Sequence, residues 1–295
     1  MKNCIAACLV AAALVCAGAD DPTDYKKTVQ RRVAPVAVKG LAAGGNLVDF
    51  GQEAFGFLEF TPPKGTRGAY EVWLGELVTP EGGVNRKPGA TIRAVRVTGT
   101  IEADGVHRVP LPPDARNTSG GREGGAVPIP PEHGVVLPFR YAEIVRAPFP
   151  VTKETVRMVA VHYPIDMSAS AFTCDSADLV KVYDFCKESI RATSFAGLYV
   201  DGDRERIPYE ADAYLNQLGD YAVHPDPSLA RASLVYLMAH PTWPTEWQQH
   251  MVKMAWTDWM WTGDTRALAQ FYDQLKGEKL LTRFRRADGL LRTGG

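Results

Sequence analysis

The chain has 295 residues, with 33 Lys and Arg against 34 Asp and Glu, a formal charge of −1 and 45% hydrophobic residues. So even a balance lacks the basic excess by which proteins hold nucleic acid, and so high an apolar content excludes intrinsic disorder. The length provides for one large or two ordinary domains.

Residues 1–19 carry Lys2, an apolar run from Ile5 to Val15, and then the small residues Ala17-Gly18-Ala19 ahead of Asp20-Asp21. This is the layout of a cleaved signal peptide, too short for a membrane span. The expected mature protein starts near Asp20 and is exported, to the periplasm or outside the cell. Of the five cysteines, Cys4, Cys8 and Cys16 leave with that segment. Cys174 and Cys186 are separated by a mostly helical stretch, too far for a disulfide, and are expected to be buried free thiols.

Residues 20–165 read as β. Short alternating or apolar runs are expected as strands at Asn46–Phe50, Ala54–Thr61, Ala69–Val78, Thr91–Val97, Val135–Tyr141 and Val156–Tyr163. Turn chemistry stands between them, as in Pro62-Pro63-Lys64-Gly65 and Pro80-Glu81-Gly82-Gly83. Within the third run Tyr70, Val72 and Leu74 face one way and Glu71 and Trp73 the other. Many short strands of this kind predict a β-sandwich, jelly-roll-like in character. Residues 112–125 form a polar loop containing the sequon Asn117-Thr118-Ser119, a match too common to carry weight.

Gly and Pro thin out after Pro164–Ser168, which is taken as a domain boundary. Residues 166–295 read as α. Ser176 or Asp175 can cap a helix with Leu179, Val182, Tyr183, Cys186 and Ile190 on one face. Pro208 suits the start of a second helix carrying Tyr214, Leu215, Leu218 and Tyr221. Asp226-Pro227 opens a third, Thr245 a fourth that ends at Gly263, and Asp264 a fifth; a sixth is expected over Glu278–Arg286. Short links make neighbours antiparallel hairpins.

The densest chemistry lies in Asp201–Asp212, where five carboxylates and two guanidinium groups share twelve residues. Glu205 sits on a loop between Arg204 and Arg206, while Asp212 falls in a helical first turn, which favours an ionised carboxylate. Such unequal surroundings divide acid from base roles between carboxylates, although charged loops are more often simply solvated. Five of the six tryptophans lie at 243, 247, 256, 259 and 261. Helix packing is expected to claim most of them, leaving Trp243 and Trp247, beside Glu246, as candidates for stacking on sugar rings. The six histidines lack metal-ligand spacing, so no metal site is expected, although the surplus of carboxylates permits calcium. No phosphate loop, dinucleotide glycine pattern or nucleophile-elbow serine is present.

At these residues the sequence resembles bacterial α-L-rhamnosidases of the six-hairpin glycosidase class. The resemblance rests on Arg204-Glu205-Arg206, Tyr209 and Asp212, with weaker support from Trp261-Thr262-Gly263-Asp264, Val48-Asp49-Phe50-Gly51 and Glu76-Leu77. It implies a β-sandwich followed by the first half of an (α/α)6 barrel, over 20–165 and 166–295. It further implies Glu205 as general acid, Asp212 as a holder of sugar hydroxyls, and Asp201, Asp203, Arg204, Arg206, Tyr209, Trp243, Glu246 and Trp247 as substrate-binding residues. The substrate implied is a rhamnose-containing glycan or glycoside, cleaved with inversion and without a cofactor. The sequence departs from the family pattern at Val200, where the first acid normally stands, at Pro208-Tyr209 in place of Gly-Trp, and at Ala211 in place of Gly. Six helices make half of such a barrel, so a truncated chain is expected, with the general base beyond Gly295. A non-catalytic glycan-binding protein and a polysaccharide lyase are the competing readings; the acidic cluster disfavours the lyase.

Overall fold

A computed structural model describes residues 28–113, 126–243 and 245–292. The expected signal peptide, the sequon and the end of the chain at 293–295 lie outside the described residues. The β half holds β1 (Val29–Val33), β2 (Ala37–Gly40), β3 (Asn46–Phe60), β4 (Gly68–Gly75), β5 (Ala94–Ile101), β6 (His107–Arg108), β7 (Leu137–Arg146) and β8 (Val156–His162). All neighbours pair antiparallel in the order β1-β8-β3-β7-β4-β5, with β2 and β6 added to β3.

Two expected strands are one in the structure. The 15-residue β3 continues through Gly51–Glu53, with its register against β7 shifting between Asp49 and Ala54. One edge of β3 pairs first with β2 and then with β8, so two groups of strands are joined through it. A sandwich was expected from turn spacing; the strands make one hydrogen-bonded path because β3 runs through both groups.

Alternation along β3 explains its long apolar run. Val48, Phe50, Ala54, Leu58 and Phe60 enter a core with Tyr70, Val72 and Leu74 of β4, as the period of two requires. Phe55 and Phe57 face the other way, into a second core with Val127, Val136, Phe195, Leu198 and Val200. Phe55 and Phe195 stack with centroids 3.7 Å apart. Gly56 lies between these phenylalanines, where a Cβ would collide with the Val159 carbonyl of β8. This second core fastens the sheet to the segment that leads into the acidic cluster. β1 escaped prediction because Gln30, Arg31 and Arg32 interrupt its apolar residues; its pairing with β8 supplies the order that its side chains do not.

Among the described residues five α-helices follow: α1 (Ala177–Thr193), α2 (Glu210–Val223), α3 (Ser228–Ala239), α4 (Gln249–Thr262) and α5 (Arg266–Gln274). Ser176 caps α1 by accepting the Leu179 N–H. Gly263 closes α4 in the left-handed conformation, at φ 69°, where an L side chain is disfavoured. Asp264 accepts the Arg266 N–H at the start of α5. The expected sixth helix is instead a π turn at Leu275–Lys279 and a 3-10 turn at Thr282–Phe284, since Gly277 and a left-handed Leu281 interrupt the pattern.

The packing faces differ from the sequence expectation. The α1 stripe of Leu179, Val182 and Cys186 is exposed rather than buried, and so is Cys174. On α2 the interior is formed by Ala213, Gln217, Asp220 and Tyr221, while Leu215 and Leu218 are exposed. Trp256 and Trp261, expected in the core, are also exposed. Polar bonds hold what apolar side chains do not: Tyr221 donates to Asp258 at 2.6 Å, and Arg231 bridges Asp258 and Asp264 at 3.0 Å each. Among the described residues no helix is long and apolar enough to cross a membrane.

Candidate active site

The loop from Asp201 to Ile207 closes on itself. The Asp201 N–H donates to the Ile207 carbonyl at 3.1 Å, and the Ile207 N–H returns a bond to Asp201 Oδ1 at 3.1 Å. Gly202 and Arg206 both have positive φ, so the loop folds back sharply enough to turn Glu205 outward between two arginines of opposite fate.

Arg206 is buried. It donates to the Val136 carbonyl at 2.9 Å and to Asp203 Oδ1 at 2.8 Å, and its guanidinium lies 5.2 Å from the Phe195 ring centroid. The Asp203 carboxylate also receives Arg93 Nε from the sheet side. Asp203 and Arg206 therefore anchor the loop to the β half, their polar atoms taken up by Arg93, by the Val136 carbonyl and by each other. The Val127 N–H adds a bond to the Arg206 carbonyl at 2.9 Å.

Arg204 is exposed, with Nη2 at 3.3 Å from Glu205 Oε2 and 3.6 Å from Asp201 Oδ2. Tyr209, which precedes α2, donates its hydroxyl to Glu205 Oε2 at 2.8 Å. Burial and this bond push the Tyr209 phenol up to about 12. Glu205 keeps about a third of its side chain open. A carboxyl so held, accessible and hydrogen-bonded on one oxygen, can exchange a proton with a bound group on the other.

Asp201 is largely buried, and Oδ2 accepts no hydrogen bond. Burial, with the charge of Glu205, pushes its carboxyl up to about 6. Asp212, partly buried in the first turn of α2, adds its charge to the same field. A pH dependence follows. Between roughly pH 4 and 6 folded Asp201 keeps a proton that the unfolded chain has released, so its contribution to stability falls as pH rises through that window. Urea unfolding midpoints should show Asp201→Asn gaining stability relative to wild type as pH rises from 4 to 7; parallel profiles would contradict the burial assigned to it.

Of the tryptophans, Trp247 packs edge-on against Tyr209 with centroids 5.7 Å apart, and Trp243 lies near enough to the Tyr209 phenol to favour its ionised form. The Trp243 side chain is 83% exposed. Glu246 lies exposed on the 3-10 turn Thr245–Gln248 that carries Trp247. The structure thus gathers Asp201, Arg204, Glu205, Tyr209, Trp243 and Trp247 by contact and Asp212 by field. Sequence reasoning gave no part to Arg93, which is distant in the chain, or to Glu210 and Thr242, which bond each other across 32 residues. Among the described residues no group of three His, Cys, Asp or Glu is placed to hold a metal ion.

No curated protein matches the sequence. Residues 167–291 match the family model of the bacterial alpha-L-rhamnosidase 6 hairpin glycosidase domain. Among solved structures, the alpha-L-rhamnosidase of Dictyoglumus thermophilum is similar with a TM-score of 0.66 at 15% identity, over 86% of this chain and 28% of that one. The rhamnosidase of Klebsiella oxytoca with rhamnose bound gives 0.61 at 13% identity, over 92% and 60%. The native enzyme of Aspergillus terreus gives 0.63 at 18%, over 89% and 30%. The chain thus spans between 28% and 60% of the length of these structures, and at such identities the likeness is one of fold. The sheet-then-helix fold is shared with these structures, and residues 167–291, which carry the Arg204-Glu205-Arg206 motif, resemble the six-hairpin glycosidase domain of bacterial alpha-L-rhamnosidases.

Proposed function

We propose that this chain belongs to an exported inverting glycosidase that removes terminal rhamnosyl or closely related sugars, with Glu205 as general acid. In this reading residues 20–165 support the site and 166–295 carry its chemistry. The observation that carries the proposal is the Glu205 carboxyl, open on one side and bonded by Tyr209 on the other, with Asp201, Asp212 and Trp243 arranged beside it. Glu205 would protonate the departing glycosidic oxygen, Asp201 and Asp212 would take sugar hydroxyls, and the exposed indole of Trp243 would cover a C–H face of the ring.

Inversion asks for a second carboxylate roughly 6.5–9.5 Å from the acid, with room between for water. The stereochemical course gives the test. Proton NMR of an α-L-rhamnoside digest should show the β-anomer of the free sugar first, before mutarotation. The α-anomer appearing first would overturn inversion. Saturable rhamnose binding without hydrolysis, unaffected by Glu205→Gln, would favour the glycan-binding alternative that the exposed Trp243 also accommodates.

A further inference from the structure

Two successive residues on the motif side meet two successive residues on the loop after α3. Trp243 lies near enough to the Tyr209 phenol to favour its ionised form. Glu210, the next residue, pairs with Thr242. Its Oε1 accepts the Thr242 main-chain N–H at 2.9 Å, and its Oε2 accepts the Thr242 hydroxyl. Glu210 has no exposed surface at all, and Thr242 is buried too.

A fully buried carboxylate is costly unless its oxygens are satisfied. Here both oxygens are satisfied by one residue, through one backbone and one side-chain donor, which fixes the orientation of that peptide rather than only its position. Glu210 stands in the first turn of α2, and the buried ammonium of Lys279 lies near enough for its charge to feel it. Trp243 follows Thr242 directly, and with 83% of its side chain in solvent it has little packing of its own to hold it.

We propose that Glu210 is a positioning residue: by clamping Thr242 it holds Trp243 beside the Tyr209 phenol, at the face of the site where a sugar ring would stack. The indole then sits beside the same phenol whose hydroxyl donates to Glu205, so the clamp reaches the acid through two side chains. The sugar-binding part rests on the function proposed above; the clamp itself does not.

The test uses the chain labelled with 5-fluorotryptophan, its Trp243 resonance identified by Trp243→Phe. Glu210→Ala and Thr242→Val each remove part of the clamp, whereas Thr242→Ser keeps both donors. In fluorine NMR without ligand, the first two should move the Trp243 resonance toward that of a free solvated indole, and Thr242→Ser should leave it in place. Thr242→Val keeps the experiment decisive if Glu210→Ala fails to fold. Titration with L-rhamnose should show affinity lowered about tenfold in the clamp variants and retained in Thr242→Ser. An unmoved Trp243 resonance in folded Thr242→Val, or the same shift in Thr242→Ser, would overturn the clamp. A shifted resonance with no rhamnose binding even by wild type would uphold the clamp and count against the proposed function.

Discussion

Replacing Glu205 by Gln should lower kcat on an unactivated α-L-rhamnoside by about 10²–10⁴-fold, the usual worth of a general acid, with KM little changed. Gln retains an acceptor oxygen for the Tyr209 hydroxyl, which bonds Glu205 at 2.8 Å, so the loop should keep its shape and only the transferable proton is lost. The loss should shrink for a nitrophenyl glycoside, whose leaving group departs without much protonation. Asp201 provides the internal control. Its carboxyl is pushed up to about 6 and can carry a proton near neutrality, but it is nearly buried, with a side-chain exposure of 7%. Asp201→Asn should therefore raise KM more than it lowers kcat, as expected of a group that holds hydroxyls. If Asp201→Asn instead abolished turnover while Glu205→Gln spared it, the roles of the two carboxyls would be exchanged.

The parts of this arrangement that could be read in the sequence are those written in local pattern. Period-two alternation placed Tyr70, Val72 and Leu74 inward, and the structure buries all three. Short-range chemistry marked the Ser176 cap and the Gly263 stop. The site loop was legible because its charged residues are consecutive. Apolar periodicity failed on α1 and α2, where exposed leucines occupy the expected inner face and Gln217 and Asp220 lie inside. A helix whose interior is satisfied by hydrogen bonds leaves no apolar stripe to find. Pairings across the chain were equally hidden: Glu210 and Thr242 are 32 residues apart, and each looks ordinary in its own neighbourhood. The family resemblance implied Asp203 and Arg206 as substrate ligands; in the fold the loop's reversal pairs them with Arg93 and the Val136 carbonyl, contacts no local pattern foretells.

Arg93→Ala should destabilise the protein by about 3–5 kcal/mol, the range for removing one partner of a buried ion pair. Arg93 precedes β5 and reaches Asp203, 110 residues later, with both side chains at 10% exposure or less. It also donates a weaker bond to the Asp203 carbonyl at 3.3 Å, and its own N–H is taken by Glu76 Oε1 at 2.5 Å. Around it stand three carboxylates. Burial and the neighbouring charges of Glu53 and Asp203 push Glu76 up to about 7, and burial with the charge of Asp203 raises Glu53. The sign of the pH effect follows. Below pH 7 folded Glu76 keeps its proton and the cluster carries less negative charge; above it Glu76 ionises beside Asp203, and Arg93 is the cation that offsets the repulsion. The loss in Arg93→Ala should thus be larger at pH 8 than at pH 5, as measured by urea unfolding. Arg93→Lys should recover only part of it, because an ammonium lacks the planar fork that meets both a carboxylate and a carbonyl. A double-mutant cycle with Asp203→Ala should show a coupling of about 1–3 kcal/mol; simple additivity would mean that the sheet and the Glu205 loop are held together by the Phe55–Phe195 core and the Arg206 bonds without this pair.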